Sequence, residues 1–223
     1  MRPRSALFAL IPLVFPAGLL AQSVEASIRY GEPVRLPLAE EIALARSAAP
    51  PAVSADATVL VLADGAGRWV EGAAGTNGAT CYVSRSWAGS LEPHCFDPEG
   101  STTILPIHLA RAEMGFAGAS EAETDRAVRA GVAEGRFRYP SRPAVSYMLS
   151  SAQVLYDDDG KNVGAWKPHV MIYWPGLTKA EIGGAGEDPM IGSSMMVVDA
   201  GTDDAVLILV QPEFVDPGAV AAE

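Results

Sequence analysis

The apolar residues of this chain follow two patterns, one helical and one typical of strands. Leu38, Ile42 and Ala45 recur at helical spacing and predict a short helix over residues 38–47. Two consecutive prolines, at 50 and 51, end it, because proline lacks the backbone N–H that a helix needs. Other apolar residues form short runs bounded by turn residues, which favours strands. The predicted strands are 57–63, 68–72, 79–87, 144–150, 167–174, 194–200 and 205–212, with a further hairpin around Asp159-Gly160.

The middle of the chain is helical in pattern. Asp97 and Pro98 are suited to the N-cap and first position of a helix, whose regular part we expect to start later because of Pro106. A second helix opens at Ser120, which forms a capping-box pattern with Glu123. Two adjacent helices joined by a short glycine-containing turn predict a helical hairpin.

This order of elements predicts an α+β fold. Strands joined by short turns favour a mainly antiparallel sheet, and the helices cluster instead of alternating with strands. We expect the helical hairpin and the short N-terminal helix to pack on one face of that sheet. The predicted domains are a signal peptide at 1–22, an extended lead-in at 23–37, a single domain at 38–215 and a flexible C-terminal tail at 216–223.

The N-terminal segment has the layout of a secretory signal peptide. Arg2 and Arg4 precede an apolar run over residues 6–20, and small or polar residues follow at 21–23. A membrane anchor is the alternative, but a run of about 15 residues is short for a span. We therefore expect a protein exported to the periplasm or the extracellular space, with no integral membrane span after cleavage.

The chain is acidic. Removal of residues 1–22 would take away Arg2 and Arg4 and leave 14 basic and 27 acidic residues, a formal net charge of −13. Such a chain repels nucleic acid phosphates and anionic lipid surfaces, and we predict no nucleic acid partner. Acidity of this kind otherwise favours solubility.

The two cysteines, Cys81 and Cys95, predict a disulfide in an exported chain. His94 beside Cys95 raises the alternatives of a nucleophile with its base and of a pair of metal ligands. Neighbours on an extended chain point to opposite faces, which is poor geometry for a dyad, and a disulfide would consume the thiol.

Metal-binding and catalytic motifs are weak in this sequence. The three histidines, His94, His108 and His169, form no HExxH or paired spacing, so a zinc site would need distant residues to converge. Residues 157–162 lack the spacing of a calcium loop and fit a solvated turn better. The glycine-rich residues 72–78 lack the lysine of a phosphate loop, and Ser193 and Ser194 lie outside a GxSxG elbow. We predict no cofactor and no metal, and activity as an enzyme stays uncertain.

His169 is the strongest candidate for a ligand-binding residue. On the predicted strand it shares a face with Met171 and Tyr173, and both faces of that strand are mostly apolar. Such a histidine is either buried and hydrogen-bonded or part of a pocket. If a pocket exists, we predict His169 and Tyr173 in it, with Trp166 at its rim.

Three segments carry a resemblance to known proteins. GTNGATCYVSRSW, PHCFDPEGSTTILP and KPHVMIYWPG resemble parts of a group of uncharacterised exported bacterial proteins, to which no activity is assigned. The likeness spans residues 40–210. It implies a coherent fold and an envelope location and supplies no catalytic residue.

Two functional hypotheses follow. The first is a binding or envelope-associated protein with a small-molecule or protein partner. The second is a small exported hydrolase or metal-dependent enzyme that uses His169 with a carboxylate. An exposed edge at 205–212 would instead favour a protein partner. The convergence of the histidines with an acidic residue in an open cleft would strengthen the enzyme hypothesis.

Overall fold

The computed structural model describes residues 31–63, 67–157, 159–183 and 194–216. The predicted signal peptide, most of the lead-in and most of the C-terminal tail lie outside these residues. The helices are α1 (Leu38–Arg46), α2 (Pro51–Ser54), α3 (Pro98–Thr102), α4 (Ile104–Phe116) and α5 (Glu121–Ala133), with a 3₁₀ turn at Ala180–Ile182.

The strands are β1 (Thr58–Leu62), β2 (Trp69–Ala73), β3 (Thr80–Ser84), β4 (Glu92–Phe96), β5 (Ala144–Met148), β6 (Leu155–Tyr156), β7 (Asn162–Gly164), β8 (His169–Tyr173), β9 (Met195–Val198) and β10 (Val206–Val210). Eight of these strands form one sheet in the order β2-β1-β3-β4-β5-β8-β10-β9, and β6 pairs with β7 separately. All neighbours in the large sheet are antiparallel except β1 and β3. The predicted α+β class is therefore confirmed.

The helices contribute to buried clusters on both faces of the sheet. Ala45 of α1 belongs to the cluster that contains Cys81, whereas Ile104 of α4 belongs to the cluster that contains Tyr82. Because Cys81 and Tyr82 are consecutive on a strand, their side chains point to opposite faces. The expectation that all helices pack on one face is therefore wrong. We call the face of Cys81 the α1 face and the face of Tyr82 the α4 face.

The segment around Cys95 is a central strand, which the sequence pattern did not predict. All five residues of β4 are buried, and β4 lies between β3 and β5. Pro93 disfavours a central strand because it cannot donate to a ladder, and Glu92 and His94 are uncommon in a core. The pairing of β4 with β5 covers only Cys95 and Phe96.

The predicted disulfide is present between β3 and β4. Cys81 and Cys95 are directly opposite each other in the register and are bonded, with their Cα atoms 4.0 Å apart. Both side chains are fully buried on the α1 face. His94 points to the other face, so it does not act with Cys95.

Local caps define the helix starts. The Asp97 carboxylate accepts a hydrogen bond from the Gly100 N–H at 2.7 Å, and Ser120 and Glu123 form the predicted capping box. Pro106 lies in the first turn of α4, where a missing N–H costs little. Among the described residues, no helix combines the length and the apolar character that crossing a bilayer requires.

Candidate functional site

The feature of most chemical interest is a cavity of about 580 Å³ on the α4 face. Strands β4, β5, β8, β9 and β10 supply most of its wall, and α4 contributes His108. Most of this wall is apolar. Its apolar side chains are Met148, Met171, Met196, Val198, Ile208 and Val210.

Three histidines from separate parts of the chain line this cavity: His94, His108 and His169. His94 on β4 and His169 on β8 share the α4 face, and α4 places His108 above it. The ring centroids of His94 and His108 are 5.7 Å apart. Sequence spacing cannot reveal this convergence, because the sheet order creates it.

Two of the histidines have defined hydrogen bonds. Nδ1 of His169 lies 2.7 Å from the Lys167 carbonyl oxygen. Because a carbonyl only accepts, Nδ1 carries the hydrogen, and in the neutral ring Nε2 keeps a lone pair. Nε2 of His94 lies 2.9 Å from the Ser146 hydroxyl, which can donate or accept.

The three imidazoles are held in their neutral form. Burial lowers the pKa of His94 well below its usual value and lowers the pKa of His169 as well. Burial lowers the pKa of His108 to about 4, and the nearby positive charge of Arg111 acts in the same direction. At neutral pH the histidines therefore offer hydrogen-bonding groups without positive charge.

Glu92 brings a buried carboxylate to the same cavity. Its oxygens accept from the Ser86 N–H at 3.1 Å and from the Trp166 indole N–H at 3.3 Å. Burial raises the pKa of Glu92. These two partners fix the carboxylate at the side of the cavity where Trp166 lies.

The arrangement does not complete a hydrolytic site within the part of the chain described here. Ser146 and His94 are at the distance of a nucleophile and its base. However, Ser146 is fully buried, so its hydroxyl cannot meet a substrate. No three described His, Cys, Asp or Glu side chains are grouped so that they could hold a metal ion.

The structure separates the three residues predicted for a ligand site. His169 and Trp166 line the cavity, and Trp166 keeps 38% of its surface exposed. Tyr173 instead lines a neighbouring cavity with Tyr139 and Asp204. The ligand-binding role of His169, Tyr173 and Trp166 stays a prediction.

The sequence pattern missed Glu92, His94 and His108 as lining residues of the same cavity. Successive side chains of a strand alternate between its two faces, and Cys95 lies between His94 and Phe96. Because the disulfide fixes the face of Cys95, this alternation could have placed His94 on the face opposite the cysteines. The position of His108 over the sheet has no comparable signal.

Residues 157 and 159–161 lie between β6 and β7. The Asp157 carboxylate accepts from the backbone N–H groups of Asp159 and Lys161, at 3.1 Å and 2.9 Å. The turn therefore uses this carboxylate for its own backbone.

No protein-family model matches this sequence, and no curated protein or solved structure is similar enough to count as a match. The function is therefore argued from the geometry and chemistry of the cavity.

Proposed function

We propose that this chain is an exported binding protein for a small, mostly apolar molecule. The observation that carries the proposal is the cavity of about 580 Å³, with an apolar wall and a few convergent polar groups. Ligand sites typically have volumes of about 300–1,000 Å³ and this kind of lining.

The polar groups favour a neutral ligand with a hydroxyl or carbonyl group. His94, His108 and His169 are held uncharged by burial, so they can exchange hydrogen bonds with such a group. The Glu92 carboxylate disfavours an anionic ligand in the same space. Trp166 offers a partly exposed aromatic surface to a ligand that enters.

Binding is favoured over the hydrolase or metal-dependent enzyme that uses His169 with a carboxylate. Glu92 shares the cavity with His169, but its described hydrogen bonds go to Ser86 and Trp166. The imidazole of His169 is oriented by the Lys167 carbonyl oxygen. A base without an accessible nucleophile supports binding better than catalysis.

The predicted helical hairpin would cover the neighbouring cavities. Its support is the ion pair between Arg111 of α4 and Asp125 of α5, together with the capping box that starts α5. Arg111 and Asp125 line a cavity that also includes His108, so movement of the hairpin would change access to this histidine. The N-terminal helix would act on the opposite face, as a support for the sheet.

The binding proposal is tested with N-phenyl-1-naphthylamine, a neutral apolar dye that becomes fluorescent in apolar surroundings. The wild-type chain is expected to bind it saturably, with one site per chain. Ile208→Trp fills the cavity from β10 and should weaken the affinity by roughly tenfold or more, or about 1.4 kcal/mol. Met196→Trp fills it from β9 and should do the same.

The matched control is Val70→Trp. Val70 is 41% exposed on β2, at the opposite edge of the sheet, so the affinity should not change. Thermal unfolding of each variant establishes that it folds. Absence of dye binding by the folded wild-type chain, or equal binding by the filled variants, would contradict the proposal.

Export is part of the same proposal, and its support is the signal-like N-terminal sequence, the disulfide and the resemblance to exported proteins. N-terminal sequencing of the protein recovered from the periplasm or the medium should begin near Gln22. A retained Met1 in that fraction would count against cleavage.

A further inference from the structure

Thioether and imidazole side chains meet on the wall of this cavity. Met148 on β5 is directly opposite His169 on β8. Met171 lies two residues further along β8, on the same face, and also lines the cavity. Opposite residues in an antiparallel pair have Cβ atoms roughly 4.5–5.5 Å apart, and the long methionine side chains can also reach diagonal neighbours.

His169 is oriented as a metal-binding histidine usually is. Its Nδ1 donates to the Lys167 carbonyl oxygen at 2.7 Å, so the lone pair of the neutral ring is on Nε2. Metal-binding histidines commonly donate their other ring N–H to a carbonyl or carboxylate in this way.

We propose that the His169 end of the cavity binds Cu(I), with the His169 imidazole and the thioethers of Met148 and Met171 as ligands. Thioethers are soft ligands that select Cu(I), whereas Mg²⁺ and Ca²⁺ prefer oxygen. The Tyr173 hydroxyl approaches the Met171 sulfur at 3.8 Å, and a thioether sulfur retains a further lone pair for a metal.

The charge of the cavity also suits a monovalent cation. Three neutral ligands leave the charge of Cu(I) unchanged, and the nearby carboxylate of Glu92 lines the same cavity. A buried cation beside a buried carboxylate is more favourable than either alone. Methionine ligands have no fixed spacing motif, which is why the sequence predicts no metal at this position.

Both cysteines of the chain are in the disulfide, so no thiol competes for a soft metal ion. Any tight site must therefore use other side chains. This inference concerns the cavity of the proposed function but does not require that the cavity binds an organic ligand.

The first test is a competition for Cu(I) between the purified protein and bicinchoninate under anaerobic conditions, with Ag(I) titration calorimetry as a measurement free of reductant. The wild-type chain should bind one ion. Met148→Leu, Met171→Leu and His169→Gln should each weaken binding by roughly tenfold or more. Leucine has a volume close to that of methionine, so folding should be retained.

Met195→Leu is the matched control. Met195 lies on β9 beside Met196, so its side chain points to the α1 face, where it packs in a different cluster. Its substitution should leave the affinity unchanged. X-ray absorption of the Cu(I)-loaded protein should show sulfur atoms next to the copper, and their number should be smaller in Met148→Leu.

Any of three results would overturn the inference. The wild-type chain does not bind Cu(I) or Ag(I) stoichiometrically, or Met195→Leu loses as much affinity as the ligand variants. In the third, X-ray absorption of the loaded protein shows no sulfur atoms next to the copper. N-phenyl-1-naphthylamine binding is measured on the same samples. Dye binding without metal binding would reject only the Cu(I) site, and metal binding without dye binding would reject only the apolar-ligand proposal.

Discussion

The histidines show at the scale of single residues how burial sets chemistry. His94 and His169 are buried, and His108 is partly buried among aromatic rings. Since an imidazolium loses its hydration in such surroundings, the neutral form is favoured in the folded state. The same residues titrate near their ordinary pKa in the unfolded chain, which couples folding to pH.

Stability should fall as the pH is lowered from about 6.5 towards 4. The unfolded state takes up protons on histidine near pH 6.5, whereas the folded state resists them until lower pH, about 4 for His108. The free energy of unfolding therefore changes by up to about 1.4 kcal/mol per pH unit for each histidine. Urea unfolding across this range measures it.

The variant His108→Gln tests the role of His108 in this pH dependence. It removes one titrating group, so the free energy of unfolding should change less with pH than in the wild-type chain. Glu92 changes the stability in the opposite direction. Because burial raises its pKa, the contribution of Glu92 to the free energy of unfolding is lost as the pH rises. If the free energy of unfolding of His108→Gln depends on pH as it does in the wild-type chain, the role assigned to His108 is contradicted.

At the scale of elements, β4 joins the two faces of the molecule. Cys95 bonds to Cys81 on the α1 face, while His94 contacts Ser146 and Phe96 on the α4 face. The disulfide fixes the register of β3 and β4 at one pair, and every other pair on these strands follows from it. It thereby fixes which residues of β4 point to the cavity.

The double variant Cys81→Ala/Cys95→Ala should lose about 3 kcal/mol of unfolding free energy, because the cysteines are 14 residues apart and the bond constrains the unfolded chain. Chemical denaturation measures this loss. Cys81→Ala alone should lose a similar amount, since it breaks the same bond. Double-variant stability equal to wild type would show that the bond contributes nothing.

At the scale of the whole molecule, one buried ion pair connects the lead-in, α1 and the sheet. Arg85, which follows β3, donates to the Glu41 carboxylate of α1 at 3.2 Å and to the carbonyls of Val34 and Val83. The same carboxylate accepts from the Leu62 N–H of β1 at 3.3 Å. Both charged side chains are almost fully buried, so each needs the other.

Arg85→Met should lower the unfolding free energy by about 3–5 kcal/mol, because it leaves the Glu41 carboxylate buried without its cation. Adding Glu41→Leu should recover a large part of this loss. The control is Arg136→Met, which breaks an exposed pair with Glu134 and should cost less than about 1 kcal/mol. Equal losses for Arg85→Met and Arg136→Met, measured by urea unfolding, would contradict this account.

The predicted elements agree with the structure where one local pattern decides the conformation. Helix α1 ends at Arg46, ahead of the prolines at 50 and 51, the Ser120 capping box starts α5, and the apolar run at 169–173 is a strand. The prediction failed at β4, because Pro93, Glu92 and His94 are tolerated in the core only through pairing and hydrogen bonds from distant segments. The placement of helices on both faces likewise depends on contacts that no local pattern contains.

Local patterns in the chain were sufficient to predict the α+β class, most element positions and the Cys81–Cys95 pairing, because caps, prolines, alternation and cysteine count act over short distances. No local pattern predicts that His94, His108 and His169 share one cavity with Glu92; the folded arrangement of the strands and α4 brings them together. It also placed Tyr173 in a neighbouring cavity, although Tyr173 shares a strand face with His169. The physical reason is that sheet order and register, which depend on long-range pairing, select the neighbours of each side chain.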